Sequence, residues 1–203
     1  MKTVLFRGSG VAIVTPFAKD GVDGDALDAL VDFQLANGTA AIIACGTTGE
    51  PSTMTEAEKD AVIARVAERV NGRVPVIAGT GGNNTPKTIA AAKRAKALGA
   101  DAQLCVTPYY NRTTQHGLIA HYTAIAEDGS LPVIVYNVPA RTGLNMKPET
   151  LAALSGHENI IAMKEASGVL DMLDVHADVQ NSLNPQLEFA RIVPAITPPP
   201  NAG

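Results

Sequence analysis

The chain has 203 residues, 46% hydrophobic and 18% charged, which is enough for one domain with a substantial core. A net charge of −4 with no basic cluster argues against nucleic acid or an anionic membrane surface as partner. Aromatics at 4% and the lack of tryptophan argue against base-stacking platforms. No apolar run approaches the roughly 18 residues of a membrane span, and Met1–Phe6, ended by Arg7, does not have the form of a signal peptide. A cytoplasmic protein is the expectation.

In chain order, short apolar runs alternate with longer amphipathic ones. Val11–Val14 reads as a first strand, ended by Thr15-Pro16. Asp25–Ala36 reads as a helix with Leu27, Leu30, Val31 and Leu35 on one face and Gly38 as its stop. Ala40–Cys45 is the second strand. Thr55–Val70 is the second helix, opened by the capping box Thr55…Glu58 and closed by Asn71-Gly72. Val74–Ala78 follows as a strand. Thr85 is expected to cap a helix with Pro86 at its first position, running to Leu98-Gly99. Then come strand Ala102–Val106, helix Thr113–Ala126, strand Leu131–Tyr136, the short helix Lys147–Leu154, strand Ile160–Met163 and helix Val169–Val179.

The strands recur at about the length of a βα unit, and each is continuously apolar, as in a parallel sheet covered on both faces. Such repetition leaves an open doubly wound sheet or a (β/α)8 barrel. Gly8-Ser9-Gly10 precedes the first strand, which is the wrong place for a dinucleotide fingerprint. The unusual polar segments all follow strands: Gly46-Thr47-Thr48-Gly49-Glu50, Gly79-Thr80-Gly81, Thr107-Pro108-Tyr109-Tyr110-Asn111, Asn137-Val138-Pro139 and Lys164-Glu165. In a barrel these loops converge on one rim, where barrel active sites lie. The barrel is therefore the expected fold.

Chemistry is expected at that rim. Lys164 ends an apolar strand, and a desolvated lysine gives up its proton more readily, as Schiff-base chemistry on a keto acid requires. The Gly46–Glu50 loop can turn its amides and two hydroxyls toward a small carboxylate. Tyr136 and Tyr110 can present hydroxyls from strand exits, and Arg141 can clamp a second carboxylate. Cys45 and Cys105 lie in apolar runs and read as buried free thiols. His116, His121, His157 and His176 have neither the spacing nor the carboxylate neighbours of a metal site and read as structural or surface residues.

Together Val11-Ala-Ile-Val-Thr-Pro16, Gly46-Thr-Thr-Gly-Glu50, Val106-Thr-Pro-Tyr-Tyr-Asn-Arg112, Tyr136-Asn-Val-Pro139, Arg141-Thr-Gly143 and Lys164-Glu-Ala-Ser-Gly168 resemble the dihydrodipicolinate synthase family over about residues 5 to 180. The resemblance implies a (β/α)8 class I lyase, usually a homotetramer, in the diaminopimelate route to lysine. It implies Lys164 as the Schiff-base residue for pyruvate and Tyr136 as the proton-transfer residue. Thr47 would link Tyr136 to Tyr110, which reaches a neighbouring subunit's site. Thr48, with the amides of the loop opened by Gly46, would hold the pyruvate carboxylate, and Arg141 the carboxylate of L-aspartate 4-semialdehyde. No metal or diffusible cofactor is implied. N-acetylneuraminate lyases and keto-deoxy-sugar-acid aldolases are related alternatives that generally lack the Arg-Thr-Gly continuation.

Two departures accompany the resemblance. In strongly lysine-inhibited members the effector site has an asparagine and a tyrosine, matched here by Asn83 and Tyr109. Its two histidines and its glutamate are replaced by Glu56, Lys59 and Lys87, so weak or no lysine inhibition is expected. After about Asn184, the family's seventh strand, eighth strand and helical C-terminal region are not legible. The expectation is a partial barrel over residues 1–184, an irregular proline-rich tail over 185–203, and a chain inactive as a free monomer. A catalytically dead chain acting only by association with other subunits is the rival of another class.

Overall fold

The computed structural model describes residues 4–168. The expected helix Val169–Val179, the segment Ile192-Val193-Pro194 and the tail 185–203 lie outside the described residues. Among the described residues, six strands form one sheet: β1 (Gly10–Ala12), β4 (Ala41–Ala44), β5 (Val76–Gly79), β6 (Ala102–Val106), β7 (Val133–Asn137) and β8 (Ile160–Glu165). All pairings are parallel, and the order follows the chain: β1-β4-β5-β6-β7-β8. A doubly wound sheet reverses its strand order at a switch point. This one never does, so its helices all fall on one face, and the wound architecture is that of a (β/α)8 barrel.

Two apolar layers follow from the alternation of side chains along each strand. Ala12, Ala41, Ile43, Ile77, Ala102, Leu104, Ile134, Tyr136 and Ala162 pack together on the inner face. Val11, Ile42, Ala44, Val76 and Ala78 face one helix-side cluster, and Cys105, Val133, Val135 and Met163 another. The helices that supply the opposing side chains are α1 (Gly24–Ala36), α2 (Glu56–Val70), α3 (Thr85–Ala97), α4 (Gln115–Asp128) and α6 (Pro148–Ser155). Leu27 and Val31 are the buried stripe of α1. Val62, Ile63, Val66 and Val70 are that of α2, and Leu118, Tyr122 and Ile125 that of α4. Arg65 to Asp28 (2.8 Å) and Arg69 to Asp32 pin α1 to α2 at half-exposed positions, where such pairs contribute at most ~1 kcal/mol each.

Helix starts are mostly set by side-chain caps. Thr55 and Glu58 form the expected capping box, and Asn71 takes the left-handed conformation at the other end of α2. The cap of α3 is a correction: Asn84 accepts the Lys87 amide, while Thr85 is already helical and turns its hydroxyl to His121 Nδ1 (2.8 Å). The Asn side chain reaches the third amide as well as a threonine does, and Pro86 tolerates the second position as readily as the first. Strand ends differ from expectation by one to two residues. The run at 11–14 gives β1 at Gly10–Ala12, with Val14 half exposed, and the last strand extends through Glu165. The hairpin of β2 (Phe17–Ala18) with β3 (Gly21–Val22) and the one-turn helix α5 (Pro139–Thr142) carry no strong periodicity and are not legible in the sequence.

A β-bulge interrupts the last pairing. Val133 pairs with Ile160, but Ile134 pairs with Ala162, so Ile161 is the extra residue. Ile161 and Ala162 both lean on the inner cluster, and from there the alternation resumes with Met163 outward. Cys45 and Cys105 are buried free thiols as expected, and burial pushes each up to about 12.

Candidate active site

Lys164 sits near the end of β8, in register with Tyr136 of β7, and is only 7% exposed. Its Nζ lies 4.6 Å from the centroid of the Tyr136 ring. The bulge decides this. Without the extra residue, Met163 would be level with Tyr136, and Lys164 would point into the apolar helix-side layer. Burial lowers the proton affinity of the Lys164 amine, and the charge of Arg141 lowers it further. The ring face opposes this, since an aromatic face favours a cation by roughly 0.5–2 kcal/mol; burial is the larger effect and the net direction is down.

Burial raises the proton affinity of the Tyr136 phenol. A hydrogen bond with Thr47 and the Arg141 charge act in the opposite sense. Thr47 opens a 3₁₀ turn, Thr47–Gly49, whose cap is Gly46. Gly49 N donates to Gly46 O (2.8 Å) and Glu50 N to Thr47 O (3.1 Å), which closes the turn. The first amides of such a turn have no internal acceptor. The buried Thr15 hydroxyl donates to Gly49 O (2.8 Å) and ties the turn to the exit of β1. On the other side the backbone of β5 presses close. A Cβ on Gly79 would stand 2.0 Å from Cys45 O, and one on Gly81 would stand 2.4 Å from Val106 N. Only glycine fits at either place.

Arg141 lies in α5, exposed at the rim, and its charge is felt at both Tyr136 and Lys164. The buried Thr142 holds this turn. Its hydroxyl donates to Val138 O (3.2 Å) or Leu144 O (3.0 Å) and accepts from Thr107 Oγ1 (3.2 Å), which joins the β6 and β7 loops. Of the expected site residues, Lys164, Tyr136, Thr47 and Arg141 are brought together, with Gly46 and Thr48 in the same turn. Tyr110 is not brought to them: it is 92% exposed, with φ 65°. Among the described residues, four of the six non-glycine positions with positive φ, namely Cys45, Glu50, Tyr110 and Arg112, lie in the β4 and β6 rim loops, where backbone strain commonly collects near sites.

Sequence reading missed the supports: Thr15, Thr107, Thr142, the two close-contact glycines, and above all Asn137. The amide of Asn137 is fully buried and bonds Glu165, Asn145 and the Met146 amide. The available signal is a polar residue directly after an apolar strand, which marks the position but assigns it no role.

A buried lysine of lowered proton affinity beneath a tyrosine on the carboxyl rim of a parallel barrel defines a site suited to imine formation with a small carbonyl compound. A family model, the dihydrodipicolinate synthetase family, matches residues 5–186. The chain belongs to that family. Curated relatives named 4-hydroxy-tetrahydrodipicolinate synthase include one from Citrifermentans bemidjiense, 58% identical over 166 residues (82% of this chain, 57% of the relative). Another, from Thermoanaerobacter pseudethanolicus, is 54% identical over 165 residues (81% and 56%). Among solved structures, the dihydrodipicolinate synthase of Thermotoga maritima superposes with a TM-score of 0.90 at 42% identity, covering 93% of this chain and 64% of that one. The chloride-inhibited Acinetobacter baumannii enzyme, in complex with pyruvate, gives 0.86 at 45% identity (92% and 63%). The chain thus spans a little over half the length of the curated relatives it matches.

Proposed function

We propose that this chain performs the chemistry of 4-hydroxy-tetrahydrodipicolinate synthase, condensing pyruvate with L-aspartate 4-semialdehyde in the diaminopimelate route of lysine biosynthesis. One observation carries the reading: the buried Lys164 amine, lowered in proton affinity and seated 4.6 Å from the Tyr136 ring. The neutral amine attacks the pyruvate ketone, and loss of water leaves a protonated imine. That imine is itself the electron sink, so a methyl proton leaves to give the enamine, which adds to the aldehyde. Tyr136 is the proton carrier at these steps, and Thr47 fixes its hydroxyl. The ring face of Tyr136 also favours the cationic imine nitrogen.

Thr48 and the amides of the turn opened by Gly46 hold the pyruvate carboxylate. Arg141 receives the carboxylate of the aldehyde substrate through its planar fork of donors. Tyr110, exposed and strained, serves the site of a neighbouring subunit in a homo-oligomer. The catalytic domain is assigned to residues 1–184, and the working compartment is the cytoplasm. The placement of Arg141 within electrostatic reach of Lys164 favours the synthase over the related sugar-acid aldolases.

Borohydride trapping tests the reading. With pyruvate present, reduction should fix one adduct, mapped by peptide mass spectrometry to Lys164. Adding L-aspartate 4-semialdehyde in place of borohydride should then yield product. Absence of the Lys164 adduct, alone and after mixing with a full-length relative, overturns the proposal. An adduct that forms only in the mixture assigns the chain to subunit association.

A further inference from the structure

We propose that Asn137 is a positioning residue: its buried amide clamps the exits of β7 and β8 and the return of the Arg141 loop, and so sets where Lys164, Tyr136 and Arg141 stand relative to one another. The inference rests on the function proposed above and deepens it.

Asn137 follows Tyr136, Glu165 follows Lys164, and the two pairs are in register. The Asn137 Nδ2 donates to the Glu165 carboxylate (3.0 and 3.1 Å) and to Asn145 Oδ1 (2.8 Å). Its Oδ1 accepts the Met146 amide (3.0 Å), and its backbone oxygen accepts the Ala166 amide (2.9 Å). The amide orientation is fixed by chemistry, since an ionised carboxylate can only accept. The segment 138–145 therefore leaves from Asn137 and comes back to its side chain, with Arg141 at the far end. One amide closes the loop and fixes the height of β8 beside β7.

An asparagine meets this demand and an aspartate of the same shape does not. In Asn137→Asp the new carboxylate would still accept from Met146, and Asn145 could turn its amide to donate. Only the Glu165 contact would fail, leaving two carboxylates about 3 Å apart in a buried place. That single mismatch can be mended by making Glu165 an amide. A residue that merely filled space would show no such exchange.

The test reads Lys164 without requiring turnover. Trace acetylation with acetic anhydride across pH, followed by peptide mass spectrometry, gives the midpoint at which the Lys164 amine becomes reactive. Pyruvate trapping is run on the same samples. Asn137→Asp should move the midpoint up, and Asn137→Asp with Glu165→Gln should return it to the wild-type position. Asn145→Ala, at an exposed loop position that folding tolerates, should move it up by less. If Asn137→Asp folds and leaves the midpoint unchanged, the proposal is wrong. It is equally wrong if the double variant does not restore the midpoint, or if Asn145→Ala has no effect. Should neither Asn137 variant fold, the Asn145→Ala result decides. A wild type that shows the low midpoint but no pyruvate adduct defeats the proposed function and leaves the clamp standing. An adduct with immovable midpoints defeats the clamp alone.

Discussion

Gly79→Ala should be among the most damaging single methyl additions in this fold. The new Cβ would lie 2.0 Å from Cys45 O, 2.5 Å from its carbonyl carbon and 2.9 Å from Gly46 N. An ordinary carbon–oxygen contact is about 3.3 Å, so roughly 1.3 Å of space must be found. Both sides of the gap are main chain. The strands involved are held by the parallel ladder that pairs Ile43 with Ile77 and Ala44 with Ala78, so no side chain can swing aside. Overpacking against flexible neighbours costs ~1–3 kcal/mol, and a rigid backbone puts this case at the top of the range. That is a lowering of the melting point by roughly 6–12 °C for a domain of this size. The relief available is to push Cys45 and Gly46 outward, which moves Thr47 away from Tyr136. Gly82→Ala, three residues on in the same loop, is the control. Its Cβ meets nothing nearer than Thr88 Oγ1 at 3.6 Å, and the change should be neutral or stabilise by up to about 0.5 kcal/mol. Urea unfolding followed by circular dichroism compares the two. Equal stabilities within about 0.5 kcal/mol would refute the close-contact argument, since single surface changes scatter by that much.

Other outcomes follow from the same geometry. His121 is buried, with Nδ1 bonded to Thr85, and burial lowers it from 6.5 to about 4. The unfolded chain therefore binds a proton that the folded one refuses, and stability falls as pH drops from 6.5 toward 4, by up to about 3 kcal/mol. His121→Gln should flatten thermal melts taken between those pH values; an unchanged slope would contradict this. Tyr136→Phe keeps the ring beneath Lys164 but removes the hydroxyl. Trapping with pyruvate should survive while condensation slows by about 10²–10⁴-fold, and an undiminished rate would remove Tyr136 from proton transfer. Free L-lysine at millimolar concentration should give no binding heat and no inhibition, because Lys59 is paired with Glu56 and Glu56 also with Arg94 where the inhibited relatives have an effector pocket. Saturable binding in that range would overturn the expectation.

How much of this was legible in the sequence depended on range. The continuous apolar runs at 41–44, 102–106 and 133–137 announced buried parallel strands because their signal is local, and the capping box at Thr55 announced α2 for the same reason. Lys164, Arg141 and the Gly46–Glu50 turn could be picked out because charge, glycine and hydroxyls are conspicuous after apolar strands. Asn137, Thr107 and Thr142 could not be assigned a task, because each acts on a residue 28 to 35 positions away or across a loop, and spacing does not encode such pairs. The resemblance puts Tyr110 beside Thr47; the chain holds it outward. Thr85 misled the reading of α3 because threonine is a good cap in isolation, and its pairing with His121 depends on α4.

The extra residue in β8 also bears on design. In an unbulged strand the facing of a side chain can be counted from the first residue by twos. Here the count must restart at Ile161, so Ile160 and Lys164, four apart, face opposite ways. A designer transplanting a reactive lysine onto another barrel strand by copying the Met-Lys-Glu segment alone would have even chances of burying the amine among the helices. The portable unit is Ile160 through Lys164 together with its partner strand. Shortening it by one residue should abolish amine reactivity while leaving the composition of the rim intact.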